Sequence, residues 1–527
     1  MDEGWTRTIA LEDLKAKGRH VFRQDGRQIA IFDTEKGVFA CNNRCPHEGY
    51  PLREGTLDGD CKLTCNWHNW KFDLATGENQ RDGDRLRVYP VEVRDGEVWI
   101  EIVDPPVEER KAKTMADLET AFRDHDYERI ARELARLVQV GADPTEAVAA
   151  AIHWSHDRFE FGWSHAYAGV ADWLRLYDER AHEPENRLIC LLEAIGHMAD
   201  DTLREEVYPY AQGSDPWDEE AFVAAVEAED EEKAIALTRG ALAAGNAFAT
   251  MERGLTRGAL AHYNDFGHAL IYVPHAGSLI TRLGEGVAEP VLLSLVRGLA
   301  SAFREDLIPE FRGYADALAA FGTKPNGAAP PAGEFLKLNA NKAVAFTAEH
   351  GTAPASDLFR SLLAANATNM LTFDLGHLGD LDQPYGSDFG WLDLTHGLTF
   401  SNAVRNQCGR YPDLWPAGLL QMACFSGRNI GHGDAGVDLE DWKVTDQDAF
   451  FAQVEETLLD HHQDEYIVSV HLLKTALAVR DLVRSQEAGE AGDIAMAALN
   501  RLLHSPIRTK MVRRTARQAM RFVATDV

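Results

Sequence analysis

Two short stretches of this 527-residue chain bring sulfur and imidazole donors together: Cys45-Pro46-His47 and Cys65-Asn66-Trp67-His68, with 17 residues between them. Each supplies one thiolate and one imidazole, in C-x-H and C-x-x-H spacing. Two chemistries use such a set. Zinc takes four of these donors, but zinc fingers place their histidines together on one helix, whereas here each loop gives one of each. A two-iron cluster takes both thiolates on one iron and both imidazoles on the other, which makes it less negative than an all-cysteine cluster and raises its potential. One-electron transfer is the chemistry this spacing favours.

The elements needed to hold the two loops are present. The run VFACNNRCPHEGYPLREGTLDGDCKLTCNWHNWKFDLATGE reads as strand, ligand loop, hairpin, ligand loop, strand and turn. Alternating strands surround it at 21–22, 29–32, 88–93 and 97–100, with Asp25-Gly26 and Asp95-Gly96 as hairpin turns. On these residues, over about 5–102, the chain resembles the Rieske family of ferredoxins and oxygenase domains. The resemblance implies a [2Fe–2S] cluster held by Cys45, His47, Cys65 and His68, with the two histidines as the electron entry and exit edge. Asn66 and Asn69 stand where Pro and Gly are usual, although Asn tolerates the left-handed conformation that a tight ligand loop demands. The extra cysteine that high-potential members bridge is missing from both loops, and Cys41 and Cys61, four residues before a ligand, are expected to be buried thiols. The cluster is therefore expected to be of the lower-potential ferredoxin or oxygenase type.

Beyond the cluster segment the pattern changes. Residues 103–111 contain Pro105-Pro106 and several charges, as linkers do, and from Met115 the apolar period lengthens to that of helices. The expected architecture is multidomain α+β: a small all-β domain at 1–103, a linker at 104–115, and a large all-α region of repeated helical hairpins at 116–527, subdivided near the Gly- and Pro-rich stretch 322–333. In ordinary Rieske oxygenases a β-rich helix-grip domain holds the catalytic iron. Almost no strand follows residue 102, so the unit served by this cluster must be of another kind.

The helical region repeats itself. Four amphipathic segments open on a histidine, at His165, His268, His396 and His471, and each is followed by a turn and a second helix. In three of them that helix ends on another histidine, His197, His432 or His504, and Ser301 holds the corresponding place in the remaining one. A single histidine on an apolar helix face is ordinarily a hydrogen-bonded core residue. Equivalent positions of packed repeats, however, face a common interior. His165, His268, His396 and His471 are thus the candidate catalytic residues and metal ligands, with His197 and His432 as further ligands. Acidic and imidazole neighbours such as Asp265, Asp393, His461 and Glu465 lie close in sequence. Imidazole with carboxylate suits iron, and an open position on such a site suits oxygen activation. The segments Gly267-His268-Ala269-Leu270, Thr395-His396-Gly397-Leu398 and Val470-His471-Leu472-Leu473 resemble the questin oxidase-like family. Those helical, histidine-rich proteins are linked to oxygen-dependent, Baeyer–Villiger-type ring opening of aromatic polyketides.

Composition narrows the partners. Fifty-three basic against 84 acidic residues leave a net charge of −31, which repels nucleic acid. Seven cysteines, two of them on the cluster, make no disulfide framework. No basic apolar leader opens the chain and no long uncharged apolar run crosses a membrane, so a soluble, cytoplasmic protein is expected. No G-x-G-x-x-G follows a strand, so electrons must come from an external reductase or ferredoxin. The reading that joins these observations is an oxidoreductase that passes electrons from the [2Fe–2S] cluster to a second, iron-containing site of unspecified nuclearity, non-haem or haem. There dioxygen oxidises a small organic, aromatic or polyketide-like substrate. Two rivals stay open: a non-catalytic electron carrier with a helical docking domain, whose repeat histidines would be scattered, and a redox-regulated metal-dependent hydrolase, which would need neither oxygen nor reductant. The oligomeric state is left open.

Overall fold

The computed structural model describes residues 4–80, 83–245, 247–261, 265–325, 327–383, 389–508 and 510–524. The chain forms two compact units, one of Met1–Ala121 with Arg136–Ala142 and the other of Phe122–Ala135 with Asp143–Val527.

In the smaller unit the described strands are β1 (Trp5–Ala10), β2 (Arg19–Gln24), β3 (Arg27–Thr34), β4 (Gly37–Asn42), β5 (Thr56–Leu57), β6 (Lys62–Thr64), β7 (Lys71–Asp73), β8 (Val88–Tyr89), β9 (Val91–Arg94) and β10 (Glu97–Glu101). They make three antiparallel sheets, ordered β1-β10-β9, β2-β3-β4-β8 and β5-β6-β7. The two Asp-Gly pairs make the expected tight turns: Asp25 and Gly26 have φ of 49° and 74°, Asp95 and Gly96 of 50° and 78°. Positive φ at both central residues gives the turn whose twist matches that of the flanking strands. Phe32, Leu52, Leu63, Phe72 and Leu74 form a buried core shared with Cys45 and Cys65. Cys41 and Cys61 are free buried thiols.

The stretch expected as a linker, 104–115, is helical from Val107, within a helix over Val107–Arg123. Pro105 and Pro106 fall just ahead of it, where a missing N–H costs nothing. Glu108 and Glu109 in its first turn and Arg123 in its last complement the helix dipole.

The described regular structure of the larger unit is helical. Its core is four helical hairpins: α1 (His165–Glu179) with α2 (Pro184–Asp201), α3 (His268–Leu283) with α4 (Ala288–Ala300), α5 (Trp391–Arg410) with α6 (Trp415–Arg428), and α7 (Tyr466–Arg484) with α8 (Glu490–Leu503). The first helices form a closed ring, α1 on α3, α3 on α5, α5 on α7 and α7 on α1, and each second helix packs against its own first. Ring helices are covered on nearly every side, which is why their sequences carry apolar residues all round: Val468 to Arg480 of α7 is buried without a break. Small residues let the ring close, since a Cβ on Gly169 of α1 would sit 2.8 Å from Val470 of α7. The stretch 322–333 does not divide this unit, because the hairpins on either side pack into the same ring. Residues Glu285–Leu307, which include α4, are long and apolar enough to cross a membrane by composition, contrary to the expectation from sequence. Of that window, 67% is buried inside the protein, as in a core helix.

Candidate functional site

The cluster loops join β4 to β5 and β6 to β7, and they are copies of one another in backbone bonding. Cys45 N–H donates to Tyr50 O and Gly49 N–H to Cys45 O; Cys65 N–H donates to Trp70 O and Asn69 N–H to Cys65 O. The fourth residue after each cysteine is left-handed, Gly49 at φ 74° and Asn69 at φ 61°. Asn69 therefore does what Gly does in the other loop. Asn66 ties its loop down, donating to Glu54 O at 2.8 Å and accepting from Thr56 Oγ1 at 2.9 Å. The Cys45 and Cys65 thiols are buried and adjacent, and burial pushes Cys45 up to about 11, so the pair becomes dithiolate only on a metal. His47 and His68 meet edge to face at 4.7 Å, and His47 Nδ1 is buried without a hydrogen-bond partner. A thiol pair and an imidazole pair on two matched loops fit a [2Fe–2S] cluster with mixed ligands. Trp70 stacks on His47 at 4.5 Å and Trp67, 58% exposed, on His68 at 5.1 Å.

The larger unit brings the four repeat histidines together. His165, His268, His396 and His471 each place a ring nitrogen within 4.8 Å of the others. Ser164 caps α1, accepting from Ala166 N–H, and Gly390 N–H donates to Asp393 at the start of α5. Gly267, at φ 76°, delivers α3: a Cβ there would overlap the Phe400 ring. His396 Nδ1 lies 2.6 Å from Leu392 O and His471 Nδ1 2.6 Å from Ile467 O. A carbonyl only accepts, so both Nδ1 atoms carry protons and, in a neutral imidazole, both Nε2 atoms are bare. Burial first, then the neighbouring cations and imidazoles, holds His165, His396 and His471 well below the usual histidine range, so they are neutral. Yet His396 Nε2 is 2.8 Å from His268 Nε2 and 3.4 Å from His471 Nε2, and His165 Nε2 is buried with no partner. A proton on His268 satisfies one of these contacts. The other sets lone pair against lone pair, and a metal cation between the rings converts that repulsion into ligation and gives His165 Nε2 a partner.

Beyond the quartet, toward the C-terminal ends of the ring helices, lies a cavity of about 530 Å³ walled by α1, α3, α5 and α7. Ile271, Thr399 and Lys474 line it one turn past the histidines, and Arg175 and Asp481 close to three turns past. Its volume is that of a site for a small organic molecule.

The other expected ligands do not join the quartet. His197 and His432 sit at or just past the C-terminal ends of the return helices α2 and α6, one layer outside the ring, where their rings find other partners. His197 stacks on Tyr466 at 5.1 Å with Asp201 3.6 Å away; His432 stacks on Phe389 at 3.8 Å. His504 is exposed and donates to Asn500 O. Among the described residues no carboxylate joins the donor set: Asp393 caps α5, and His461 reaches Glu193 instead. His262 lies outside the described residues, as does the side chain of Asp265. Sequence reasoning missed the cavity residues His275, Asp172 and Lys474, although their offsets from the quartet histidines put them on the same helix faces.

A family model for the Rieske [2Fe-2S] domain matches residues 4–90. The chain is 35% identical over 92 residues to 4beta-methylsterol monooxygenase of Methylococcus capsulatus, covering 15% of this chain and 25% of that protein. It is 33% identical over 117 residues to oxidoreductase NdmD of Pseudomonas putida, covering 20% and 19%. The chain thus spans a quarter or less of these two relatives. Ferredoxin CarAc of Metapseudomonas resinovorans is 31% identical over 103 residues, 19% of this chain and 95% of the ferredoxin. With the ligand loops, the paired turns and the buried donor set all in one β unit, the chain belongs through its N-terminal domain to the Rieske [2Fe–2S] family, and that domain is an electron-transfer module.

Proposed function

We propose that the helical unit is an iron-dependent oxygenase module that draws electrons from the Rieske cluster and oxidises a small organic molecule held in the axial cavity. The observation that carries this reading is the convergence of the four repeat histidines, each with a ring nitrogen within 4.8 Å of the others, at one end of that cavity. Imidazole alone suits zinc, copper, nickel and iron. The fused electron-transfer domain favours a redox metal, because zinc has no use for electrons. When bound, such an iron supplies dioxygen activation. The chain's own part is to hold the donors neutral by burial, to fix their tautomers through the Leu392 and Ile467 carbonyls, and to keep the substrate against the ring wall. The resemblance of the His-led helices to the questin oxidase-like family agrees with this chemistry. So does the similar 4beta-methylsterol monooxygenase, whose name is that of an oxygen-using enzyme. The electron donor is then a separate reductase or ferredoxin, and the five cysteines outside the cluster, all unbridged, suit a reducing, cytoplasmic compartment.

Metal analysis and oxygen uptake test the proposal together. Anaerobically reconstituted protein should hold iron beyond the two atoms of the cluster, and a reductase should drive oxygen consumption that His396→Ala and His471→Ala abolish without bleaching the cluster. Iron limited to the cluster, or uptake unchanged in both variants, would sink the reading. A docking module predicts scattered histidines, opposite to the convergence seen; a hydrolase would turn over without oxygen.

A further inference from the structure

Seven residues past the quartet histidines, two turns along each ring helix, stand Asp172, His275, Ala403 and Ala478, and all four line the cavity. At this level the repeat has lost its symmetry: two small residues leave room on the α5 and α7 side, and a histidine faces a carboxylate on the α1 and α3 side. That pair is closed to a ligand. His275 gives Nδ1–H to Ile271 O at 2.6 Å and Nε2–H to Asp172 Oδ2 at 3.3 Å, so both its donors are spent and its charge is matched. The other charges on the wall are committed as well. Arg175 of α1 makes two bonds to Asp481 of α7, Arg282 of α3 makes two to Asp178 of α1, and Glu179 accepts two from Arg480. Lys474 of α7 faces the Tyr272 ring at 6.0 Å. The carboxylates Asp172, Asp178, Glu179 and Asp481 are equalled in number by the cations Arg175, His275, Arg282 and Lys474. A charged molecule entering here would leave its own charge unmatched in a site walled by protein, or break a pair to match it.

The α5 wall differs, for it carries no charge and presents Thr399, Asn402, Ala403 and Asn406. Steps of three and four residues put Thr399, Asn402 and Asn406 on one helix face. The Thr399 hydroxyl is spent, 3.3 Å from both Thr395 O and His396 O. Asn402 keeps its donors. Arg405 meets one atom of the Asn402 amide, at 3.3 Å from Nε and 3.1 Å from Nη2, and because a guanidinium only donates, that atom is the carbonyl oxygen. The amide is thereby oriented, and its two N–H groups make no hydrogen bond among the described residues. Leu174, Ile271, Leu279 and Leu477 give the other three helices an apolar share of the wall.

We propose that Asn402 is a binding residue of this cavity, taking the carbonyl oxygen of an uncharged organic molecule whose apolar body lies in the space beside Ala403 and Ala478. Six residues past His396, this amide stands about 9 Å along the axis from the quartet, so the recognised carbonyl is a handle and not the reacting end. That last step, and the ligand's being the substrate, rest on the oxygenase reading; recognition by Asn402 does not.

The test is equilibrium dialysis of three matched probes against the intact holoprotein at pH 7. They are 2-acetylnaphthalene, 2-isopropenylnaphthalene, which has a methylene where the ketone has its oxygen, and the charged 2-naphthoate. The ketone should bind about fivefold more tightly than the alkene, the scale of one hydrogen bond, and more tightly than the carboxylate by at least as much. Asn402→Asp keeps an oxygen for Arg405 and removes both donors, so it should abolish the preference for ketone over alkene. Asn402→Leu, the second variant, should do the same without adding a charge. His396→Ala should lose second-site metal and keep the preference, so a failure of the metal reading leaves the recognition standing. Equal binding of ketone and alkene by the wild type, carboxylate binding as tight as the ketone's, binding of no probe, or a preference that survives both Asn402 variants overturns the proposal.

Discussion

Replacing His396 with alanine separates a metal quartet from a hydrogen-bonded core by its effect on stability, with and without metal. Deleting a large buried side chain ordinarily costs about 3–5 kcal/mol. Here the lost ring also removes the 2.8 Å contact with His268 and the 3.4 Å contact with His471, the second of which pairs two bare nitrogens. The metal-free variant should therefore lose less than usual, within about 2 kcal/mol. The metal-loaded comparison runs the other way. Free iron at a hundred times its dissociation constant stabilises the wild type by about 2.7 kcal/mol, which for a unit this large is a rise of about 3 °C in its melting temperature. The variant, missing a central ligand, should show no rise. Anaerobic scanning calorimetry with and without Fe(II), read beside iron content per chain, gives both numbers. A full 3–5 kcal/mol loss without metal, together with equal or absent shifts in both proteins, would mean that the four rings are ordinary core histidines.

Acid should weaken the metal-free fold. His165, His396, His471 and His197, the last lowered to about 4, all sit below their unfolded value, so stability is level above pH ~6.5 and falls as pH drops toward the depressed folded values, by about 1.4 kcal/mol per pH unit for each imidazole. A urea midpoint that stays flat from pH 7 to 5 would contradict this. In the cluster domain, Asn69→Ala should cost about 1–2 kcal/mol and hasten cluster loss, because φ of 61° disfavours a Cβ without a compensating side chain, while Asn69→Gly should retain the visible absorbance of the cluster. Gly267→Ala combines a left-handed φ with a clash against Phe400 and should lower the melting temperature of the helical unit and its second-site metal content together, with the cluster spectrum intact. Ala478→Trp, which fills the cavity wall away from the quartet, should abolish substrate turnover at unchanged iron content; unchanged turnover would place the substrate elsewhere.

The cluster site was legible almost in full, because its chemistry is local: two short loops hold all four donors, and the Asp-Gly turns declare the hairpins that flank them. The quartet was legible only through repetition. His165 and His471 are some 300 residues apart, and nothing local to either says that they meet; matched positions in four hairpins do. That same logic misled at His197 and His432, because a matched offset fixes the height of a residue along the repeat and not its layer, and the return helices stand outside the ring. The linker was misjudged for a different reason. Charge and proline at 104–111 look like a tether, but a Pro-Pro-Val-Glu-Glu run is also how a helix begins. His275 escaped notice because it carries no repeat signature: its partner Asp172 lies on another helix, 103 residues earlier, and only the closure of the ring pairs them.

The same backbone device gives two opposite chemistries in this ring, and the difference lies in what faces the far nitrogen. His275, His396 and His471 all donate Nδ1–H to the carbonyl four residues back. Where other imidazoles face Nε2, the ring stays neutral and offers a lone pair; where Asp172 faces it, the ring takes a proton and gives it to that carboxylate. A fourfold repeat is well suited to the first role, since equivalent positions on converging helices supply equivalent ligands at no cost in new architecture. It is badly suited to the second, because a symmetric layer of four histidines or four aspartates would repel itself or fill the cavity. The layer at plus seven resolves this by keeping one histidine and one aspartate on neighbouring helices and reducing the other two positions to alanine. Restoring symmetry there, with His275→Ala and Asp172→Ala together, should therefore leave quartet metal in place while widening the cavity and removing its polarity. Retention of metal with loss of oriented turnover is the outcome that would separate the ring's two layers by function.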